Sequence, residues 1–143
     1  MATCDGPVVT LDTNIAVYAV SRNAPKASIA AEVIARASFV SVQLLNEFAH
    51  VLNRKQRLPW AEVRPLLEDL RTAVPSVRAL DEPDHQRAVH VASRYQLPFY
   101  DSLMLAVALS GGARTIYSED MQHGMIIDDT LTIVNPFAPG AFA

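Results

Sequence analysis

Four acidic residues carry the chemistry this sequence could perform: Asp12, Glu47, Asp101 and Asp120. Asp12 ends the apolar run Val8-Val9-Thr10-Leu11, and Asp120 closely follows Thr115-Ile116-Tyr117-Ser118. Both runs read as short strands covered on both faces. Asp101 opens an apolar helical stretch, and Glu47 lies about a turn and a half into the helix that leaves a second strand. In a parallel sheet all four can reach one edge, at the carboxyl ends of the strands, where open α/β sheets place their ligand crevices. Carboxylates gathered in a dry crevice repel one another unless a cation joins them. Oxygen-only ligation selects a hard cation, Mg²⁺ or Mn²⁺. Such ions suit in-line attack of water on a phosphodiester, because they lower the water's pKa and neutralise developing charge.

Each acid also has a plainer reading. Asp-Thr-Asn at 12–14 is good N-cap chemistry. Asp101 before an apolar helix is equally cap-like, and Asp120 could close a turn with Ser118. Glu47 flanks the apolar face made by Leu44, Leu45, Phe48, Val51 and Leu52, where a carboxylate needs a partner. Glu119 competes with Asp120 for the inward position. Continued strand alternation puts Ser118 and Asp120 on one face and so favours Asp120.

The elements that must position these acids alternate along the chain. A first strand at 8–11 leads into a helix at 14–20, and a break at Arg22-Asn23-Ala24-Pro25 precedes an Ala-rich helix through Ile29, Val33 and Ile34. Phe39-Val40-Ser41-Val42 is a strand and 44–53 a helix. Pro59 and Trp60 begin another helix, with Val63, Leu66, Leu67 and Leu70 inward. A third strand lies within 74–80, and the acidic Asp81-Glu82-Pro83-Asp84 starts the next helix. Leu97-Pro98-Phe99-Tyr100 reads as extended, because the residue before proline avoids helical backbone. Asp101-Ser102 then opens the helix that Gly111-Gly112 stops. Strands at 115–118 and 131–134 follow, and the segment after Phe137 reads as a loose tail. The alternation predicts a three-layer α/β/α fold with a mostly parallel central sheet of about five strands, formed by one domain over 1–143 with its core at 8–137.

Composition narrows the class. Half of the 143 residues are hydrophobic and only 19% are charged, which argues for a packed core and against disorder. A net charge of −3 argues against broad charge-driven binding to nucleic acid but leaves room for a local basic groove. The lone Cys4 excludes an intrachain disulfide and suits a reducing compartment. The opening Met-Ala-Thr-Cys-Asp does not read as a signal peptide, and no apolar run approaches a membrane span. These readings place the protein in the cytoplasm and off the membrane. His50, His85, His90 and His123 form no His-x-x-x-His pair and read as surface residues rather than zinc ligands.

The sequence resembles the PIN-domain nucleases, in particular the VapC-type toxins of bacterial toxin–antitoxin pairs. The resemblance rests on Leu-Asp-Thr-Asn at 11–14, Asn46-Glu47, Leu-Pro-Phe-Tyr-Asp-Ser-Leu at 97–103 and Tyr-Ser-Glu-Asp-Met-Gln-His-Gly at 117–124, with Ile133-Val134-Asn135-Pro136-Phe137 at the close. It spans Val8 to Phe137. It implies an Mg²⁺- or Mn²⁺-dependent endoribonuclease that uses metal-activated water. Asp12, Glu47, Asp101 and Asp120 would be the acidic metal-binding and catalytic set, and Asn14 and Ser118 the polar residues that orient it. The family commonly forms homodimers and is silenced by a cognate antitoxin protein. Arg22, Lys26, Arg54, Lys55 and Arg57 could line an RNA path at the rim. The leading alternative is a PIN-like module that holds RNA or protein without cutting. A phosphatase with an aspartate nucleophile fits less well, since position 14 is Asn where a second Asp is usual. A phosphate receiver lacks its expected late lysine.

Overall fold

The structure is a computed structural model and describes residues 6–142. The expectations drawn from Cys4 and from the opening Met1 to Asp5 lie outside these residues. The first strand, β1 (Val9–Leu11), is buried along its whole length and pairs in parallel with β4 (Thr115–Tyr117), Leu11 opposite Tyr117. β6 (Leu131–Val134) pairs in parallel with the other side of β4. β5 (Ile126–Ile127) adds an antiparallel edge to β6, giving the order β1-β4-β6-β5. β5 is absent from the sequence reading. At two residues it is too short to show a period, and it is set by its turn into β6, where Asp128 and Asp129 both adopt positive φ.

On the far side of β1, β2 (Val40–Ser41) pairs in parallel with β3 (Val77–Arg78). The ladder between β1 and β2 is interrupted. Ser38 N–H donates to the Val9 carbonyl at 2.8 Å, Ser38 Oγ accepts from Val9 N–H at 3.0 Å, and Thr10 Oγ1 donates to the Phe39 carbonyl at 2.7 Å. Side chains thus supply hydrogen bonds that a continuous ladder would have made. The architecture is the expected α/β one with mostly parallel pairing, but where about five strands were expected in one sheet the described residues form a four-stranded and a two-stranded sheet.

Six helices accompany these strands among the described residues: α1 (Thr13–Ala19), α2 (Ala24–Arg36), α3 (Val42–Arg54), α4 (Trp60–Ala73), α5 (Glu82–Tyr95) and α6 (Phe99–Ser110). Val42 belongs to α3 and not to the strand before it, because Ser41 caps that helix by accepting Leu44 N–H at 3.0 Å. Leu44, Phe48 and Leu52, each four residues apart, form the buried stripe of α3. Asp81 and Asp84 make a reciprocal capping box at the start of α5. The central α6 is apolar on every side, with residues 102–108 all buried, as suits a helix enclosed by the protein.

The expectation of an extended Phe99-Tyr100 is corrected. Proline restricts only the residue before it, so Leu97 ends the loop, Pro98 is the N-cap, and the helix begins at Phe99. Ser102 N–H donates to the Pro98 carbonyl at 3.0 Å. The C-terminal segment, read as a loose tail, makes ring contacts with the body of the protein near its end. Phe142 packs edge-on against Tyr117 with ring centroids 5.6 Å apart, and Arg36 covers its other side at 4.3 Å.

Candidate active site

Asp12 stands where β1 becomes α1. Its backbone N–H continues the sheet by donating to the Tyr117 carbonyl at 2.8 Å, and its extended backbone makes it the N-cap of α1. The carboxylate is buried. Oδ1 accepts Thr13 N–H at 2.7 Å and Oδ2 accepts the Ser118 hydroxyl at 2.9 Å. The cap reading therefore holds for this residue. One oxygen caps the helix, and the other faces the loop after β4.

Asn14 ties that loop to β1. Its Nδ2 donates to Asp120 Oδ2 at 3.0 Å and reaches Asp12 Oδ2 at 3.3 Å, while its Oδ1 accepts Glu119 N–H at 3.2 Å. Ser118 is fully buried, and its hydroxyl also accepts Met121 N–H at 3.4 Å, which shapes the turn carrying Asp120. Glu47 projects from α3. Its Oε1 accepts the Thr13 hydroxyl at 2.6 Å and its Oε2 accepts Gln43 Nε2 at 3.2 Å. Asp101 sits in the first turn of α6, three residues past the cap, so it is not the cap that its position suggested.

Asp12, Glu47, Asp101 and Asp120 all line one open cleft of about 1030 Å³. Burial pushes the Asp12 carboxyl up to about 6, and the nearby charges of Asp101 and Glu47 add to this against the hydrogen bonds from Ser118 and Thr13. Asp101 is also raised, first by burial and then by Asp120 and Glu47. The four acids thus feel one another. Among the described residues no three His, Cys, Asp or Glu side chains already form a closed chelating group. The neutral donors Thr13, Asn14 and Ser118 hold the carboxylates around the cleft without closing them on one point. The donor set nonetheless fits a hard divalent cation. It is all oxygen, and burial and mutual repulsion disfavour the anionic forms of Asp12 and Asp101, a cost that a bound cation would relieve.

Glu119 is turned to the rim. It pairs with Lys26 and accepts the Tyr18 hydroxyl at 2.5 Å. Burial acts to raise its carboxyl, but the Lys26 and Tyr18 hydrogen bonds outweigh that and leave it below the usual range. Lys26 also lies over the Tyr18 and Phe137 rings at 4.6 and 5.0 Å. Lys26 therefore neutralises Glu119, while Lys55 lines the cleft and Arg22 and Arg54 are exposed. The sequence reading gave no site role to Thr13 or Gln43, and it read His50 as a surface residue. His50 lines the cleft one helical turn beyond Glu47, a placement that the i, i+3 spacing contains. Of the other histidines, His123 Nδ1 accepts Asn135 N–H at 2.9 Å, His85 meets the Phe99 ring, and His90 approaches Asp128 at 3.8 Å.

The family model described as PIN domain matches residues 9–124. Comparison with curated proteins gives no match. Among solved structures, the chain is similar to a toxin–antitoxin complex from Klebsiella pneumoniae, with 15% identity, a TM-score of 0.69, and coverage of 90% of this chain and 98% of that one. It is similar to VapBC2 from Rickettsia felis bound to a DNA fragment from their promoter, with 13% identity, a TM-score of 0.66, and coverage of 90% and 99%. It is also similar to the Sarcin-Ricin loop cleaving toxin VapC20 of Mycobacterium tuberculosis, with 18% identity, a TM-score of 0.62, and coverage of 78% and 89%. At these identities the likeness concerns the fold.

Proposed function

The chain belongs to the PIN domain family, and on that premise we propose that it is a divalent-metal-dependent endoribonuclease, the toxin of a toxin–antitoxin pair. The observation that carries this reading is the gathering of Asp12, Glu47, Asp101 and Asp120 in one cleft, with Asp12 and Asp101 both pushed toward their neutral forms. Acids so arranged are poor structural elements and good cation ligands. The neighbours' descriptions as toxins and toxin–antitoxin complexes support the physiological part of the proposal.

Asp12, Glu47, Asp101 and Asp120 would hold Mg²⁺ or Mn²⁺. Bound there, the ion would supply an activated water and charge neutralisation at the scissile phosphate. The rest falls to the chain's own groups. Ser118 and Thr13 keep Asp12 aimed outward from the sheet edge, and Thr13 and Gln43 fix both oxygens of Glu47. Asn14 holds Asp120 at a set distance from Asp12. Lys55, with Arg22 and Arg54, would draw the RNA backbone to the rim. Lys26 joins them only if its pair with Glu119 opens. A cognate antitoxin covering the cleft, a homodimeric assembly and a cytoplasmic setting complete the proposal. Among the described residues no helix is long and apolar enough to cross a membrane.

The purified protein tests this directly with end-labelled RNA in Mn²⁺, in Mg²⁺ and in EDTA. Cleavage in the metals, none in EDTA, and none by folded Asp12→Asn or Asp101→Asn is expected. Full cleavage by both variants defeats the proposal. One observation favours a non-cutting module: no closed chelating group is present among the described residues. Calorimetric titration separates the readings, because the nuclease must bind Mn²⁺ and a simple binding module need not.

A further inference from the structure

We propose that Asn135 is a positioning residue for Asp120, and that with His123 and Phe137 it clamps the loop on which Asp120 rides. The proposal rests on the ribonuclease reading, which places Asp120 among the acids that hold the ion. Three of the four acids stand on regular structure: Asp12 caps α1, and Glu47 and Asp101 lie within α3 and α6. Asp120 alone is exposed, on the irregular segment between β4 and β5. A carboxylate there keeps its place only as well as its loop does. Ordering that loop costs conformational entropy, which contacts from elsewhere must offset.

Both flanks of Asp120 are tied to the segment that follows β6. On one flank, His123 Nδ1 accepts Asn135 N–H at 2.9 Å, and the adjacent Gly124 N–H donates to the Ile133 carbonyl at 2.7 Å. Asn135 Oδ1 accepts Phe137 N–H at 2.9 Å across Pro136, a side-chain turn that fixes where the Phe137 ring emerges. That ring meets Tyr18 edge-on at 5.1 Å and lies under Lys26 at 5.0 Å. Tyr18 and Lys26 are the two groups that hold the Glu119 carboxylate on the other flank. The contacts therefore run from His123 through Asn135 and Phe137 back to Glu119, with Asp120 between the two ends. The Glu119 flank is held as well by its own N–H on Asn14, so the His123 flank depends more on the clamp. Asn135 serves one flank with its backbone N–H and the other with its side-chain oxygen. This gives the run Asn135-Pro136-Phe137 a part in the site although none of the three lines the cleft.

The test uses the full chain. Amide exchange is followed in EDTA, and calorimetry gives the Mn²⁺ affinity. Asn135→Ala and His123→Ala should each speed exchange in residues 119–124 by about tenfold, a lost hydrogen bond being of that order, while β1 and α3 exchange as in wild type. Both should weaken Mn²⁺ binding by about tenfold, as groups that orient ligands do. His123→Asn sets an amide oxygen near the Nδ1 position and should restore both values to within about twofold of wild type. Gly111→Ala, at the other end of α6 from Asp101, is the stability control and should move neither. Unchanged loop exchange in both alanine variants overturns the clamp. So does an equal rise along the whole chain, or a His123→Asn variant that behaves as His123→Ala does. Faster loop exchange at wild-type Mn²⁺ affinity overturns the positioning of Asp120. If wild type binds no Mn²⁺ and cuts no RNA, the ribonuclease reading falls, while loop exchange in EDTA still decides for or against the clamp.

Discussion

Asn14 Nδ2 lies 3.0 Å from Asp120 Oδ2 and 3.3 Å from Asp12 Oδ2, so a single neutral amide spans two carboxylates that come from opposite ends of the chain. The amide supplies a donor where two like charges would otherwise face each other. Asn14→Asp turns that donor into a third acceptor. Its expected effect is a weakening of Mn²⁺ affinity by about 10–100-fold, the range for groups that orient ligands. Isothermal titration reads the affinity, and circular dichroism checks that the fold survives. Wild-type affinity in the variant contradicts the bridging role.

The pH dependence follows from Asp12. Its folded pKa of about 6 lies above the ordinary 3.8, so the folded chain binds the extra proton between these values. Stability of the metal-free protein is therefore greatest at low pH on this account, falls as pH rises from about 4 through about 6, and is level above that. The loss amounts to about 3 kcal/mol for a shift of about two units. Asp12→Asn removes the buried charge, so in EDTA at pH 7.5 it should be more stable than wild type by up to about 3 kcal/mol. Urea melts at pH 5 and pH 7.5 measure this. A wild type that gains stability across that interval refutes the assignment to Asp12.

Metal removal gives the complementary result. A cation that binds only the folded state stabilises it by about 2.7 kcal/mol at one hundred times its dissociation constant. Mn²⁺ should accordingly raise the melting temperature of wild type at pH 7.5, raise it less at pH 5 where Asp12 is protonated, and leave Asp12→Asn unmoved. Equal shifts in wild type and Asp12→Asn would place the ion elsewhere.

Adjacent Glu119 and Asp120 should behave differently. Glu119→Gln breaks a partly exposed pair with Lys26, for which a change of about 1 kcal/mol or less in stability is expected. Its cleavage rate should remain within a few-fold of wild type. Asp120→Asn should lose about 100-fold or more, as a member of the acid set. Single-turnover rates at saturating Mn²⁺ rank the two, and the reverse order would exchange their roles.

Gly111 offers a prediction independent of the cleft. A Cβ there would stand 2.4 Å from the Phe39 ring and 2.8 Å from Arg78 Cδ. Phe39 is buried in the core and cannot swing away freely. Gly111→Ala should cost about 1–3 kcal/mol by overpacking. Its denaturation midpoint should fall while the cleavage rate of the folded fraction is preserved.

The parts of this molecule legible in the sequence are those written in period and in punctuation. The buried stripe of α3, the Asp81 start of α5 and the halt at Gly111 follow from spacing and capping rules alone. The four acids that line the cleft were legible as a set, because carboxylates near strand ends have few shared purposes, although the start of the helix carrying Asp101 was misplaced. That helix begins two residues earlier, since proline constrains only Leu97. Strand alternation favoured Asp120 over Glu119 for the inward position, but the partners that hold Glu119 at the rim were not readable. That hold depends on Lys26, Tyr18 and Phe137, which meet only after α2 and the C-terminal segment have packed. β5 escaped for the same reason, because two residues hold no pattern and their pairing is imposed by the neighbouring strand.

The strand order carries a consequence for how the molecule comes into being. β1 is made first, yet its parallel partner β4 lies more than a hundred residues later, and β6 flanks β4 beyond that. Ser118 and Asp120, which complete the surroundings of Asp12, arrive with that late strand. A chain that stops short of β4 therefore lacks the residues that surround Asp12. The acidic cleft is therefore completed only near the end of the chain, and on the proposed reading any activity would arise only once synthesis is almost finished.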